Sequence, residues 1–374
     1  MALVSLKENM YFLQERGVGL LMINPVSMVN DSMGQNVKLG ESDKTIQKHF
    51  YRAIDTGTSH QWSVYRSQSA ISFVDVRHKK IYLFDGNAVT PISDIKGQRN
   101  FTIKRLHTEL LKYDNPIIDK GILTTYDYYH NEFLYTFNNR NLLTPPNTYD
   151  TSADENLTLA YSEVLSAFTS MYSFTPNLYI NSNKYLLSTN RNNKIWLHNN
   201  GLYGNFYGVQ YPSTLKLIIN DNPLYTKVFD NATWNSEAVL DNIQWSDDLN
   251  LYPGSITVPT YPDDVNKQGT TFTRVRCYND WQNTDWVNLT TTLPNNNLTR
   301  KERNWNIQFP RNKFNYDVIT PSAQSLFNPT YLTKTSFGER LRDKYLIIDL
   351  YYPNTGNYRF IIHNFKSIHR VSDR

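Results

Sequence analysis

Few residues of this 374-residue chain have types and spacings that suit catalysis. There are eight histidines: His49, His60, His78, His107, His130, His198, His363 and His369. A metalloprotease-type zinc site needs two imidazoles one helical turn apart, as His-Glu-x-x-His, and a deaminase-type site begins with His-x-Glu. His-Glu-x-x-His and His-x-His are absent. His-x-Glu occurs at His107-Thr-Glu109 and His130-Asn-Glu132, but a chain with one cysteine cannot supply the Cys-x-x-Cys half of a deaminase-type site. His78, His130 and His198 lie in or beside hairpins of a repeated phrase, where turn or surface placement is the expectation. Asp75, Asp85 and Asp94 punctuate the first of those hairpins. Two carboxylates on a β-scaffold can run glycoside hydrolysis. Asp at hairpin ends is also ordinary turn chemistry, because its side chain accepts nearby backbone N–H groups, and we expect the latter. The Gly-x-Ser-x-Gly elbow, the Walker loop and the Asp-rich calcium loop are missing. Cys277 is the only cysteine, which excludes an intramolecular disulfide and a cysteine zinc site and suits assembly in a reducing compartment. The reading is not an enzyme, with no catalytic residues, no cofactor and no metal.

Contact surfaces are the remaining candidates. The chain holds 27 Tyr, among them Tyr126, Tyr128, Tyr129, Tyr161, Tyr172, Tyr179, Tyr203, Tyr207 and Tyr211. Their first reading is sheet packing with the hydroxyl at the rim; their second is a glycan- or protein-facing surface. Two phrases set mixed charge beside strands: Arg300-Lys-Glu-Arg-Asn-Trp-Asn-Ile-Gln-Phe-Pro-Arg311 and Phe337-Gly-Glu-Arg-Leu-Arg-Asp-Lys344. Fork-shaped guanidinium groups suit ion pairs between subunits, and solvated loop charge is the rival reading. The candidate interface residues are Arg303, Trp305, Arg311, Arg340 and Arg342.

The elements that must carry these residues are strands. One phrase reads Ala70-Ile-Ser-Phe-Val-Asp-Val-Arg-His-Lys-Lys-Ile-Tyr-Leu-Phe-Asp-Gly86: strand, polar turn, strand, Asp-Gly. A second copy is Leu123-Thr-Thr-Tyr-Asp-Tyr-Tyr-His-Asn-Glu-Phe-Leu-Tyr-Thr-Phe137, and a third is Lys184-Tyr-Leu-Leu-Ser-Thr-Asn-Arg-Asn-Asn-Lys-Ile-Trp-Leu-His198. Recurrence at roughly 50 to 60 residues is the mark of a propeller. Charged residues are 19%, and the Asn- and Tyr-rich composition favours strands joined by turns over long helices. The excess of 38 basic over 34 acidic residues is too small to mark a nucleic-acid binder. No run approaches the ~20 apolar residues of a membrane span. A short helical turn is expected within 40–51 and a helix over 104–113. Strand pairs are expected at 157–174 and 178–208, and strands at 213–220, 271–278, 303–309, 344–352 and 357–363. Residues 230–270 show weaker alternation, and 290–300 and 318–335 read as loops. The fold class is all-β: a partial β-propeller-like region over 1–211, then a β-sandwich-like domain over 212–374. A blade takes ~40–50 residues and closure takes at least four blades. No closing strand is evident, so another chain is expected to complete the propeller and cover its open edges.

Several phrases carry a resemblance. They are Asp55-Thr-Gly-Thr-Ser-His-Gln-Trp-Ser-Val-Tyr65 with Ser69–Asp75 and Lys79–Phe84, then Tyr161–Phe174 and Trp196–Gly208. Asn304–Arg311, Arg340–Ile348 and the terminal Arg370–Arg374 complete the set. Together they resemble the C-terminal region of the tail muzzle proteins of crAss-like phages of gut Bacteroides. The resemblance implies a virion structural protein without cofactor, forming or closing the distal tip of a short, podovirus-like tail and gating its channel. It implies assembly in the bacterial host cytoplasm as a homo-oligomeric ring. The partners would be other tail proteins, namely a companion muzzle chain and the tail hub or nozzle, with DNA present only as transiting genome. The chain is much shorter than a full muzzle protein and starts within the propeller region, which suggests a split gene, a cleavage product or a separately encoded part. The alternatives are a receptor- or glycan-binding tail protein, marked by exposed Tyr and Trp clusters, and a tail glycan hydrolase, marked by a two-carboxylate cleft.

Overall fold

A computed structural model describes residues 2–23, 27–30, 36–39, 46–106, 113–115, 118–139, 142–143, 148–149, 156–181, 185–190, 194–240, 270–292, 296–315, 338–355 and 358–372. Over these residues the chain is nearly all β, as the strand-and-turn pattern predicts, and no sheet closes into a barrel. Among the described residues the helices are two short ones, Ile92–Ile95 and Arg99–Arg105, and a 3-10 turn at Gln61–Ser63. Among the described residues no helix is long and apolar enough to cross a membrane. Two compact units form, Met1–Asn200 and Gly201–Arg374.

The first unit is built on a succession of four antiparallel sheets of three or four strands, each hydrogen-bonded in chain order, with two further two-stranded pairs, Ser27–Asn30 with Asn36–Leu39 and Leu142–Leu143 with Thr148–Tyr149. The first sheet contains Ala2–Leu6, Asn9–Gln14, Gly17–Ile23 and Ile46–Ile54, and the second Tyr65–Arg66, Ile71–Asp75, Lys80–Phe84 and Val89–Pro91. The third contains Lys120–Asp127, Glu132–Asn139, Leu157–Ser162 and Ala167–Tyr172, and the fourth Leu178–Asn181, Leu186–Thr189 and Ile195–Leu197. The first copy of the repeated phrase is the central hairpin of the second sheet, the second copy forms the first two strands of the third, and the third copy supplies two strands of the fourth. The expected pair over 157–174 joins the second copy in one sheet, with Phe137 opposite Leu157 and Glu132 opposite Ser162.

Side-chain alternation in the second sheet divides its residues between two cores. Ile71, Phe73, Tyr82 and Phe84 pack with Leu6, Tyr11 and Leu13 of the first sheet. Val74 and Ile81 pack with Ile122, Phe133 and Tyr135 of the third. All five residues of Ile71–Asp75 are buried for this reason; a strand covered on both faces loses the apolar/polar alternation of a surface strand. The third sheet meets the fourth through hydrogen bonds. Thr136 Oγ1 lies 2.7 Å from Thr158 Oγ1 and 2.6 Å from the Tyr179 hydroxyl, and Asn138 Nδ2 donates to the Pro176 carbonyl at 2.8 Å.

Two local expectations change. The helical turn sought within 40–51 is extended over its described part: Ile46–Ile54 pairs along Gly17–Ile23, and ladder hydrogen bonds along the strand outweigh helix propensity; residues 40–45 lie outside the described residues. The helix sought over 104–113 lies earlier, at Arg99–Arg105, with Leu106 as its C-cap and fully buried; residues 107–112 lie outside the described residues.

The second unit packs two sheets around one core. One contains Ser213–Ile219, Leu346–Tyr352, Arg274–Tyr278, Gln282–Asn283 and Phe314–Asn315, with Val287–Asn288 paired to Arg274–Tyr278. The other contains Leu298–Lys301, Asn304–Gln308, Lys227–Leu240, Arg342–Asp343 and Tyr358–Val371. Ile219, Val275, Ile348 and Leu350 from the one meet Phe229, Trp234, Trp305 and Ile307 from the other. The weakly alternating stretch after 230 is, up to Leu240, part of a 14-residue strand paired with Tyr358–Val371. Its register shifts at Phe229/Asn231 and Asn235/Ser236. The first shift skips Asp230 and changes which parity faces inward. From Asn231 to Ala238 burial alternates without a break, but three of the inward residues, Ala232, Ser236 and Ala238, are small or polar, and this hides the strand from a search for apolar residues at period two. The expected loop over 290–300 ends in the strand Leu298–Lys301, while 318–335 lies outside the described residues.

Candidate assembly surfaces

The histidines and carboxylates singled out in the first unit are engaged in local structure. Asp75 and Asp127 each begin a four-residue hairpin turn with a histidine three positions on. His78 Nδ1 is 2.7 Å from Asp75 Oδ2, and His130 Nδ1 is 2.8 Å from Asp127 Oδ2. The second carboxylate oxygen accepts a backbone N–H, from His78 at 3.0 Å or from Tyr129 at 2.9 Å. The turn then closes through a left-handed residue, Lys79 or Asn131, each at φ 56°. A third turn of this shape has Ser162 accepting the Leu165 N–H at 3.3 Å and Ser166 left-handed at φ 49°. Burial pushes the Asp127 carboxyl up, but hydrogen bonds from His130, Asn199 and the Tyr129 N–H outweigh it and hold the group below its ordinary range. The Asp127 carboxylate correspondingly holds His130 above the usual imidazole value. Asp85 accepts the N–H groups of Asn87 and Ala88, at 2.8 and 2.9 Å, and Asp94 pairs with Lys80 at 2.8 Å. Among the described residues no group of three His, Cys, Asp or Glu side chains is placed to hold a metal ion.

The segment Asp55-Thr-Gly-Thr-Ser-His60 clamps the first two sheets together. Asp55 and Thr58 donate their N–H groups to the carbonyls of Arg16 and Gln14, at 2.9 and 2.8 Å. Thr58 Oγ1 donates to the Val74 carbonyl at 2.8 Å, and the Gly57 N–H points at Asp75 Oδ2 at 3.4 Å. Asp55 also pairs with Arg77 at 2.7 Å. A Cβ at Gly57 would overlap the Gln14 carbonyl oxygen, a backbone atom that cannot step aside. Gly57→Ala is therefore expected to destabilise the first unit by about 1–3 kcal/mol through overpacking; urea unfolding checks this, and a loss within error would show that the approach of the two sheets is not fixed here.

Two kinds of surface remain for contact. The first is internal to the first unit: a cavity of about 540 Å³ lined by residues at the leading edges of all four sheets, among them Leu3, Tyr65, Leu123 and Tyr179, with Trp62 beside them. The second is the pair of sheet faces at the two ends of the succession. On the fourth sheet Leu178 lies in register with Thr189 and Ile195, and Ile180 with Leu187 and Leu197. One parity on all three strands is thus almost wholly aliphatic, and Ile180, Ile195 and Leu197 are 40%, 65% and 40% exposed. On the first sheet the face turned away from the second carries Leu3, Phe12 and Tyr51, in register through Gly19. His49 and Tyr51 meet the Phe12 ring edge-on, and a Cβ at Gly19 would overlap that ring.

Sequence reasoning did not single out these faces. The signal is the shared parity of Leu178, Ile180, Leu187, Ile195 and Leu197 across three short strands. Of the tyrosines, Tyr126 and Tyr161 are buried in the core between the second and third sheets, whereas Tyr129 stands exposed at a hairpin tip.

In the second unit the five candidate interface residues separate. Arg303 is exposed at φ 66° in the turn between Leu298–Lys301 and Asn304–Gln308. Arg311 and Arg342 are exposed, and Arg342 sits in the short strand Arg342–Asp343 with its N–H donated to Gln282 Oε1 at 2.7 Å. Arg340 is exposed but pairs within the chain, Nη1 to Asp230 Oδ1 at 2.7 Å. Trp305 is 1% exposed in the core, opposite Trp234, so it is a packing residue and reaches no partner. The inward parity of Asn304–Gln308 decides this: Trp305 and Ile307 point in while their neighbours stay at the surface. Cys277 is buried in the same core, where burial pushes its thiol far up and leaves it unreactive.

Comparison with known proteins follows the same division of the chain. A family model described as Crassvirus muzzle protein matches residues 1–192, and one described as Crassvirus muzzle protein C-terminal domain matches residues 201–312. The likeness therefore runs through both units and is not confined to a C-terminal region. A curated relative, the "Muzzle protein" of Bacteroides phage crAss001, is 23% identical over 236 residues, which is 61% of this chain and 16% of the relative's own length.

Proposed function

The chain belongs to the Crassvirus muzzle protein family, and from that premise we propose that it is a structural component of a short phage tail, where it forms or closes the distal tip and gates the channel. The observation that carries the reading is the coincidence of both family matches with the two folded units. The engagement of Asp75, Asp85, Asp94, Asp127, His78 and His130 in turns and ion pairs supports an architectural reading, because local structure accounts for each of them.

The first unit is read as part of a β-propeller. Its four successive sheets with leading strands around one cavity suit blades around an axis. Several copies would form a ring with companion tail proteins, a second muzzle chain and the hub or nozzle, and the genome would pass through. A gate of this kind needs interfaces with two arrangements close in free energy, so that contact with the host shifts the population and opens the tip. The second unit offers Arg303, Arg311 and Arg342 at its surface for carboxylate partners.

Cross-linking mass spectrometry on purified virions tests this. The expected result is several copies of the chain per particle, with cross-links from residues 1–200 into another tail protein. A free monomer absent from virions would overturn the reading.

A further inference from the structure

We propose that the aliphatic face of the fourth sheet, built from Leu178, Ile180, Leu187, Ile195 and Leu197, seats a further antiparallel β-sheet, supplied by muzzle-family polypeptide lying outside these 374 residues. The inference rests on the structural reading above and names the surface and the occupant that reading requires.

Three observations carry it. The first is the pattern already built into the unit. The first sheet lies face to face on the second, and the second on the third, and at each junction the apolar parity of one sheet is covered by the apolar parity of the next. Ile71 and Phe73, the second sheet's residues at such a junction, are fully buried. The fourth sheet repeats the arrangement on one side only: its inner parity meets the third sheet through Tyr179, while on its outer parity Ile180, Ile195 and Leu197 are exposed and Leu178 and Leu187 half-buried. The second is the geometry of the exposed residues. The exposed Ile180, Ile195 and Leu197 stand on the two outer strands, half-buried Leu187 links Ile180 to Leu197 across the middle one, and Leu178 and Ile195 flank Thr189. A strand added at the sheet edge would cover only the outermost strand and would satisfy backbone groups, not side chains. A face apolar across its whole width calls for a second sheet stacked about 10 Å away. The third is length. The match takes in 16% of the curated relative, so most of a muzzle polypeptide lies beyond what this chain covers and can supply the layer.

The occupant is thus a pleated apolar face. A glycan would need polar groups that this surface lacks, and a charged peptide would meet no counter-charge on these five side chains.

Hydroxyl-radical footprinting of the isolated full chain and of intact virions, read by mass spectrometry and combined with cross-linking, tests the proposal. Val164 and Leu165, exposed at a hairpin tip, serve as the reference for unprotected side chains. In the isolated chain Ile180, Ile195 and Leu197 are expected to be labelled as readily as that reference. In virions their labelling is expected to fall to the level of buried Ile71 and Phe73, with cross-links from residues 178–197 into another β-rich muzzle-family segment. Labelling that persists in virions overturns the proposal and leaves the tail reading standing. Protection with cross-links only to a second copy of this chain also overturns it, since the occupant would then be the chain itself. Absence of the chain from virions overturns the tail reading and the proposal with it. The variant Ile195→Lys provides a second check: the isolated chain is expected to melt at the wild-type temperature, because the residue is exposed there, while incorporation into virions is lost. Normal incorporation would count against the docking.

Discussion

Replacing Trp305 by alanine is expected to cost the second unit about 3–5 kcal/mol, a large part of the roughly 5–15 kcal/mol that holds an ordinary domain together. The indole is 1% exposed and lies directly across from Trp234 on the neighbouring strand. Both tryptophans belong to the core shared by the two sheets, so truncation removes contacts on both sides and leaves a cavity that packed strands cannot collapse to fill. The polar atoms of the two indoles differ. Trp234 Nε1 donates to Thr271 Oγ1 at 2.8 Å, whereas Trp305 Nε1 is buried without an acceptor among the described residues. An unpaired buried donor is itself unfavourable. Trp305→Phe, which removes that donor and keeps most of the apolar body, is therefore expected to cost well under half of the alanine change. Urea unfolding of the full chain measures both. Arg303→Ala supplies the contrast: on an exposed turn it is expected to change stability by no more than about 0.5 kcal/mol. An effect on virion assembly at unchanged stability would then mark Arg303 as a contact residue. A Trp305→Ala loss below about 1 kcal/mol would be too small for core truncation and would sink the packing role.

The second large expected effect is loss of stability in the first unit on mild acidification. His198 lies in the fourth-sheet region, its Nε2 2.6 Å from Ser188 Oγ and its ring 4.9 Å from that of Phe174. Burial lowers its pKa from 6.5 to about 4, opposed in part by the negative charge of Asp127. Above the unfolded value both states are neutral and His198 contributes nothing to the pH dependence. As pH falls through the unfolded value, the unfolded chain takes up a proton that the folded chain refuses. Stability therefore declines until the folded value is reached, by about 3 kcal/mol over the whole window. His130 acts in the opposite sense: its raised pKa adds stability below the unfolded value, which is lost as pH rises through the folded one. Asp127, with a lowered pKa, loses its contribution only as pH falls through its own folded value, at the acid end. The His198 share is isolated by comparing wild type with His198→Asn. The variant is expected to be less stable at neutral pH, where it loses ring packing, but to lack most of the decline between about pH 6.5 and 4. Parallel pH profiles for the two proteins would show that His198 is not the responsible group.

Part of this protein is legible without coordinates because part of its structure is local. The hairpins of Ala70–Gly86 and Leu123–Phe137 follow from two apolar runs around a polar turn. Their Asp-x-x-His turns are closed by near neighbours, Asp75 accepting from His78 and Asp127 from Tyr129 and His130, although Gly57 and Asn199 add donors from farther along the chain. The strand Ser213–Ile219 is equally plain, and the inward parity of Trp305 and Ile307 is written in five residues. The phrase Asp55–His60 stands out in the sequence, but its role as a clamp depends on Gln14 and Val74, which only folding brings near. The strand Lys227–Leu240 is hidden because a bulge at Asp230 shifts its period and because its inward residues Ala232, Ser236 and Ala238 carry little apolar signal. Sequence determined the class of the protein, its hairpins and the parity of its short strands, because those depend on neighbours within a few residues. Tertiary structure alone decided which parity is covered. Ile71 and Ile195 are the same kind of residue in the same kind of strand, yet one is fully buried and the other 65% exposed. The difference is whether another sheet lies on top, and that is a property of the assembled layers.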